Sequence, residues 1–239
     1  MTKARLLSDD GRAGTDLVLR GIPFFAGLKE EESSELRRRI LRRSFQRNEV
    51  ILLEEQTSSY MYVVFSGAVK AVKIGRDGRE NILAIHEAGD FFGEMALLDG
   101  ETSPATVIAM EAAEVGLITK HDFDRYIAEH PAVLRAIVDL LCSRLRQAWA
   151  TLKILTSGHA EERVRAMLGR IGGQCGVKAP EGVLIRTKLT HQDIAHCASV
   201  SRETVSRLME RFRRDGEIAI VGRRAILLKP SFFEKMPGL

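Results

Sequence analysis

Cysteine is scarce in this chain of 239 residues: only Cys142, Cys175 and Cys197 occur, far apart, odd in number and without CxxC spacing. That pattern suits a reducing cytoplasm and gives no support to a cysteine-bound iron–sulfur cluster. Long apolar runs are missing as well. No stretch approaches the ~20 residues needed to span a bilayer, and 28% of the residues are charged, so no membrane partner is expected. The opening MTKARLLSDDGRAG lacks an apolar h-region, and export is not expected. Catalytic signatures are also absent: there is no GxSxG elbow, HExxH pair or P-loop. His191 and His196 are offset by five residues, which would not place both on one helix face for a metal. No catalytic residue and no metal ligand is assigned, and an enzyme is not expected.

What is present is unevenly distributed. Residues 159–239 hold 15 Lys or Arg against 9 Asp or Glu, an excess of 6, while the whole chain has a net charge of +4, leaving −2 for residues 1–158. The length is comfortable for two modest domains. A basic C-terminal part beside a slightly acidic N-terminal part places the electrostatic footprint of a DNA-binding region at the C-terminus.

The centre of that region is SRETVSRLMERFRRDG, Ser201 to Gly216. Ser201 reads as a helix N-cap, and Val205, Leu208, Met209 and Phe212 recur at the helical period, giving one apolar face. Arg202, Arg207, Arg211, Arg213 and Arg214 project from the other face, with Glu203, Thr204 and Ser206 near its N-terminal end. Ahead of it, Thr190 can cap a short helix in THQDIAHCASV whose Ile194 and Ala195 turn inward, and Ala198 to Val200 make a tight turn. This is a helix-turn-helix, whose second helix would lay its first residues along base edges in a major groove. EIAIV and AILLK flank Gly222-Arg223-Arg224, a short hairpin with arginines at its tip that forms a wing. Arginine can donate twice to guanine and a carboxylate can accept from cytosine, each good pairing being worth roughly 1–3 kcal/mol of discrimination. Phosphates repel a glutamate, so Glu203 between two arginines argues for base reading rather than simple charge attraction. His191 and Gln192 at the first helix start suit phosphate contacts. The alternative is an ordinary amphipathic helix with solvated arginines.

These residues resemble the CRP/FNR family of bacterial transcription regulators. Arg202-Glu203-Thr204-Val205-Ser206-Arg207 looks like that family's recognition helix, in which the first arginine, the glutamate and the last arginine read a TGTGA-like half-site. Glu203-x-x-Ser206-Arg207 also resembles members that read TTGAT. The resemblance implies a half-site with a GA core, double-stranded DNA as partner, and RNA polymerase as a candidate partner. Ser199 departs from the family at a turn position often held by glycine, a substitution that the turn can accept with some strain.

The rest of the chain fits the same reading. IPFFAGLKEEESSELRRRI predicts two short helices, and the arginines at 37–39, 42 and 43 read as a solvated face. From Ser44 to Thr119 the period is two, with turn signals at Ser66-Gly67, Arg76-Asp77-Gly78 and Asp99-Gly100, which predicts an antiparallel barrel or roll. The order of strands, glycines and GDFFGE resembles the family's cyclic-nucleotide-binding β-roll. That resemblance makes Gly93, Glu94, Met95 and Ala96 candidate ligand-binding residues, with Glu94 as the ribose partner. Where cyclic AMP binders carry Arg-Ser-Ala, this chain has Ser103-Pro104-Ala105, and the guanidinium that would pair with the phosphate is absent. Losing such a bond should weaken cyclic AMP binding by at least about tenfold. The adenine-contacting Thr-Ser pair falls at Ala148 and Trp149, and Trp149 is expected to fill the pocket rather than stack on a ligand. The alternative, in which GEMALLDG merely packs the roll, stands beside this one. The effector is therefore unassigned among a cyclic nucleotide, another small molecule, heme bound by His86, and none at all.

PAVLRAIVDLLCSRLRQAWATLKIL runs from Pro131 to Leu155 without a breaker, about 37 Å of helix at 1.5 Å per residue. Val133, Ile137, Leu140 or Leu141, Leu145, Ala148, Leu152 and Leu155 form a stripe suited to a two-stranded coiled coil, hence a homodimer, with part of the helix buried on its own roll. Ser157-Gly158 reads as a hinge, AEERVRAMLGRIGG as a helix ending at Gly172-Gly173, and QCGVKAPEG as a loop. The expected fold is α+β. Its domains are an N-terminal extension at 1–20, an antiparallel β-roll sensor at 21–130, a dimerisation helix at 131–156 and a winged helix-turn-helix at 157–239.

Overall fold

The structure is a computed structural model, and it describes residues 19, 22, 25, 27–75, 78, 80–128, 130–156, 158–222 and 225–236. The expectations for the N-terminal extension, Phe24, Ser157 and the wing-tip arginines Arg223 and Arg224 lie outside the described residues. The chain forms two compact units, one holding the residues up to Lys73 with Leu83–Arg144 and the other Ile74–Ile82 with Leu145–Leu239.

The first unit is a two-sheet antiparallel roll. After helix α1 (Glu30–Arg39) come β1 (Leu41–Phe45), β2 (Val50–Leu52), β3 (Tyr60–Ser66), β4 (Ala68–Ile74), β5 (Glu80–Glu87), β6 (Phe91–Phe92), β7 (Thr106–Ala109) and β8 (Ala113–Thr119). One sheet has the order β1-β8-β3-β6 and the other β2-β7-β4-β5. The anticipated strands are present, and the first begins at Leu41, ahead of Ser44. Short helices α2 (Glu94–Asp99) and α3 (Lys120–Phe123) and a wider turn at Asp124–Ala128 complete the unit before the long helix α4 (Pro131–Leu155).

Strand alternation supplies two apolar clusters. Val64, Val69, Val107, Ala109 and Val115 lie between the sheets, while Leu36, Met61, Val63, Phe91, Ile118 and Phe123 gather with Val133 and Ile137 of α4. Part of α4 is therefore buried on its own roll, as expected, and that part takes in the first two residues of the apolar stripe. Val133 and Ile137 are 0% and 4% exposed and belong to the roll's core; the large apolar residues of α4 that remain exposed are Leu134, Val138, Leu145, Trp149, Leu152 and Leu155. The arginines of α1 are also more engaged than a solvated face implies. Arg37 donates to Ser33 at 2.8 Å, and Arg39 pairs with Asp122 at 3.4 Å.

The second unit contains α5 (Ala160–Cys175), β9 (Gly176–Ala179), β10 (Gly182–Ile185), α6 (His191–Ala198), α7 (Arg202–Arg214), β11 (Ile218–Val221), β12 (Ala225–Leu228) and α8 (Pro230–Glu234). Here two expectations are overturned. The helix does not stop at Gly172-Gly173 but continues to Cys175, and the expected loop is a hairpin of β9 and β10. The reason is packing. A Cβ on Gly172 would lie 3.0 Å from Leu228 and 3.5 Å from Val183, so glycine lets α5 lie close on the sheet rather than ending it. The wing hairpin thereby becomes part of a four-stranded sheet, β11-β12-β10-β9. Val164, Leu168, Ile194, Val205, Phe212, Leu228 and Phe232 fill the core beneath it.

Candidate nucleic-acid interface and effector pocket

The helix-turn-helix is built by local hydrogen bonds that the sequence dictates. Thr190 caps α6: its hydroxyl accepts from the Asp193 amide at 3.0 Å and donates to the Asp193 carboxylate at 2.6 Å, while the carboxylate accepts from the Thr190 amide at 2.9 Å. Two otherwise orphaned amides are satisfied in this way. Ser199 ends the helix in the left-handed region, φ 51° and ψ 52°, so the turn is made with serine where glycine would be unstrained. Ser201 then caps α7 by accepting from the Thr204 amide at 3.1 Å. Val205, Leu208, Met209 and Phe212 are buried, as their spacing predicts.

Burying that face presents the other. Arg202, Glu203 and Arg207 are exposed, with Thr204 and Ser206 partly so. Arg211 is held by Glu161, Arg213 by Glu210 and Arg214 by Asp215. Among the described residues, Arg202 and Arg207 make no ion pair. Three of the five arginines are thus engaged, Arg211 by a distant residue and Arg213 and Arg214 by neighbours in sequence, and two are left available. The Glu203 carboxyl is lowered from its ordinary range, first by its own backbone amide and then by the Ser201 hydroxyl, so it is an acceptor near neutral pH. On α6, His191 and Gln192 are exposed. His191 Nδ1 lies 2.8 Å from the Ser206 hydroxyl oxygen, a link between the two helices that sequence spacing could not reveal. The Gln192 amide bonds to the ring of His196. Thr190 and Ser201 spend their hydroxyls on capping.

The roll carries the second candidate site. Gly93 has φ 81°, and a Cβ there would lie 2.9 Å from the Tyr62 ring, so only glycine fits. It delivers Glu94, 1% exposed, at the start of α2. The structure supplies a partner that the sequence reading missed: Arg144 of α4 pairs with Glu94 Oε1 and donates to the Phe91 carbonyl at 2.5 Å, lying 5.0 Å above the Phe91 ring. Fifty residues separate the pair, and no local pattern announces it. Glu94 Oε2 has no hydrogen-bond partner among the described residues. Ala96 is buried and Met95 exposed. Ser103 is 4% exposed and donates to the Ala105 carbonyl at 2.8 Å, closing this loop on itself. Pro104 between them has no amide hydrogen to give.

Trp149 is not buried as a pocket-filling ring would be: it is 62% exposed. His86 lies 5.7 Å from the Phe92 ring, and burial, aided by the positive charge of Arg144, lowers its pKa to about 3, leaving a neutral imidazole. Among the described residues no cluster of His, Cys, Asp and Glu could hold a metal, and no helix is long and apolar enough to cross a membrane.

A two-sheet roll, a long helix and a winged helix-turn-helix whose Arg202 and Arg207 make no ion pair among the described residues define the architecture of a DNA-binding protein. Comparison with known proteins agrees. Residues 42–130 match the model of the cyclic nucleotide-binding domain and residues 162–235 that of the Crp-like helix-turn-helix domain. The chain is 30% identical over 202 residues to the cyclic AMP receptor protein of Thermus thermophilus, covering 84% of this chain and 90% of that one. It is 30% identical over 233 residues to the nitrogen fixation regulation protein FixK of Bradyrhizobium diazoefficiens, covering 97% and 96%. The fold matches that of FixK2 from Bradyrhizobium japonicum with a TM-score of 0.73 at 24% identity, over 84% of this chain and 98% of that one. The protein belongs to the CRP/FNR family and is a DNA-binding transcription regulator of that type.

Proposed function

We propose that the protein acts in the cytoplasm as a homodimer that reads a pseudo-palindromic site with GA-core half-sites of the TGTGA or TTGAT kind. The observation that carries this reading is the exposure of Arg202, Glu203 and Arg207 on one helix, with Ser206 partly exposed and neither arginine in an ion pair among the described residues. Arg202 and Arg207 would donate to guanine, Glu203 would accept from cytosine, His191, Gln192, Thr204 and Arg223 would hold the backbone, and the caps Thr190 and Ser201 would set the two helix starts against it. Val138, Cys142, Leu145, Trp149 and Leu152, exposed at alternating four- and three-residue spacing along α4, support pairing of two copies. The functional division is a sensor at 21–130, a dimerisation helix at 131–156 and a DNA-binding domain at 157–239, with RNA polymerase as the partner through which a bound dimer would act.

The roll does not take cyclic AMP in the usual manner. Ser103 and Pro104 offer no guanidinium to a phosphate, and Arg144 already satisfies one oxygen of Glu94. The roll is occupied by a different effector or works without one. Selection from randomised duplexes tests the DNA reading: two GA-core half-sites about 34 Å apart should be enriched, and enrichment of a single half-site, or none, would sink it. Thermal unfolding with cyclic AMP, cyclic di-nucleotides and heme tests the roll, because a ligand of the native state raises Tm; a large rise with cyclic AMP contradicts the assignment.

A further inference from the structure

We infer that His191 is a positioning residue which, through Ser206, sets whether the recognition helix offers a hydrogen-bond acceptor or a donor to the base opposite Ser206, so that base preference at that position changes with pH. The inference rests on the base-reading role proposed for α7. Its basis is the 2.8 Å contact between His191 Nδ1 and Ser206 Oγ, made by an exposed ring on the first helix and a partly exposed hydroxyl on the second.

A serine hydroxyl has one proton, and a neutral imidazole has one N–H and one lone pair. If Nε2–H is given to a DNA phosphate, Nδ1 must accept. Ser206 then spends its proton on His191, and its oxygen shows only lone pairs to the groove. Those lone pairs favour an amino group, adenine N6 or cytosine N4. When the ring takes a proton from solvent, Nδ1–H donates to Ser206. The hydroxyl proton is released toward the groove and favours thymine O4 or guanine O6 and N7.

The surroundings make the switch usable. His191 borders a groove of about 660 Å³ shared with Thr190, Gln192, Arg202, Met209, Ile220 and Ile226. From α7 the charged group acting on it is Arg202; from the wing sheet the neighbours are the apolar Ile220 and Ile226. On its own helix, Asp193 is committed to Thr190, and the Gln192 amide to His196. The Glu203 carboxylate is drawn to its own amide and Ser201. Burial and the Arg202 charge together disfavour the protonated ring in the free protein, and a phosphate docked on Nε2 would oppose them, so the switch belongs to the DNA complex.

The test uses the full chain and duplexes identical except at one base pair of the half-site, each pair being varied in turn. Dissociation constants are measured by fluorescence anisotropy between about pH 5.5 and 8 at fixed ionic strength. At the upper end the wild type should favour the strand offering an amino group by about three- to tenfold, and the ratio should shrink or invert at the lower end. Ser206→Ala should remove the pH dependence of the ratio while affinity as a whole still rises at low pH; His191→Gln should make the ratio flat. A wild-type ratio that does not change with pH, or one that changes equally in Ser206→Ala, overturns the inference alone. Failure to prefer any duplex at any pH overturns the base-reading role with it.

Discussion

Arg165 lies between the rings of Phe212 and Phe232, 4.3 and 4.9 Å from their centroids, and donates to Glu217 at 2.5 Å. Both partners are almost fully buried, at 4% and 2% exposure, and Lys235 closes the other Glu217 oxygen at 2.6 Å. One ion pair thus ties the first helix of the DNA-binding unit to the root of the wing and to the recognition helix through Phe212. Removing one partner strands a buried charge. Arg165→Leu should therefore cost about 3–5 kcal/mol, whereas replacing both partners by apolar residues should recover most of the loss; urea unfolding of the full chain reads both.

The same pair gives a pH dependence with a definite sign. Burial raises the Glu217 carboxyl, but the hydrogen bonds and charges of Arg165 and Lys235 outweigh it and hold it below its ordinary value. A lowered carboxyl contributes stability above the unfolded pKa, and that contribution is lost as pH falls through the folded value. Wild-type stability should fall at acid pH, below about 4.5, and Glu217→Gln should show a shallower fall over the same range.

Arg144 and Glu94 yield a second stability test, located in the roll. Arg144→Gln leaves a carboxylate that is 1% exposed without its cation and should cost about 2–4 kcal/mol. Glu94→Gln, which leaves the more exposed arginine able to reach water, should cost less. No loss in Glu94→Gln beside a full loss in Arg144→Gln would show that the guanidinium stabilises the roll through the Phe91 contacts alone.

On the long helix, exposure separates two groups of apolar residues. Ile137→Ala should destabilise the roll by about 2–5 kcal/mol without changing the association state. Leu145→Asp with Leu152→Asp should leave stability nearly unchanged but give monomers by sedimentation. Affinity for a two-half-site duplex should fall with it.

Base reading and backbone contact are separable on the recognition helix and wing. Arg202→Ala or Glu203→Ala should relax preference at one base pair by roughly 1–3 kcal/mol, while Arg223→Ala should weaken all duplexes alike and lower the salt slope by about one. Uniform losses for all three variants would contradict the division of labour.

Much of this architecture is written in short-range patterns. The caps at Thr190 and Ser201, the apolar face of α7 and the unbroken run from Pro131 to Leu155 each depend on residues a few positions apart, and they appear where spacing predicts. The misreadings come from contacts between distant segments. Gly172 looked like a helix end because glycine usually breaks helices, yet it is kept for the closeness of Leu228. Trp149 is expected to fill a pocket from the family resemblance, yet it is 62% exposed, which spacing along one helix does not fix.

By itself the sequence determined the order of elements, the helix-turn-helix and the two apolar periods, because capping, turn chemistry and periodicity act within one or two turns of chain. Only the tertiary structure decided that Glu161 takes up Arg211, that Glu94 meets Arg144, that Arg165 is sealed against Glu217 and that His191 touches Ser206. Those outcomes depend on which charges burial brings within hydrogen-bond reach, and partners separated by 15 to 52 positions leave no trace in local spacing.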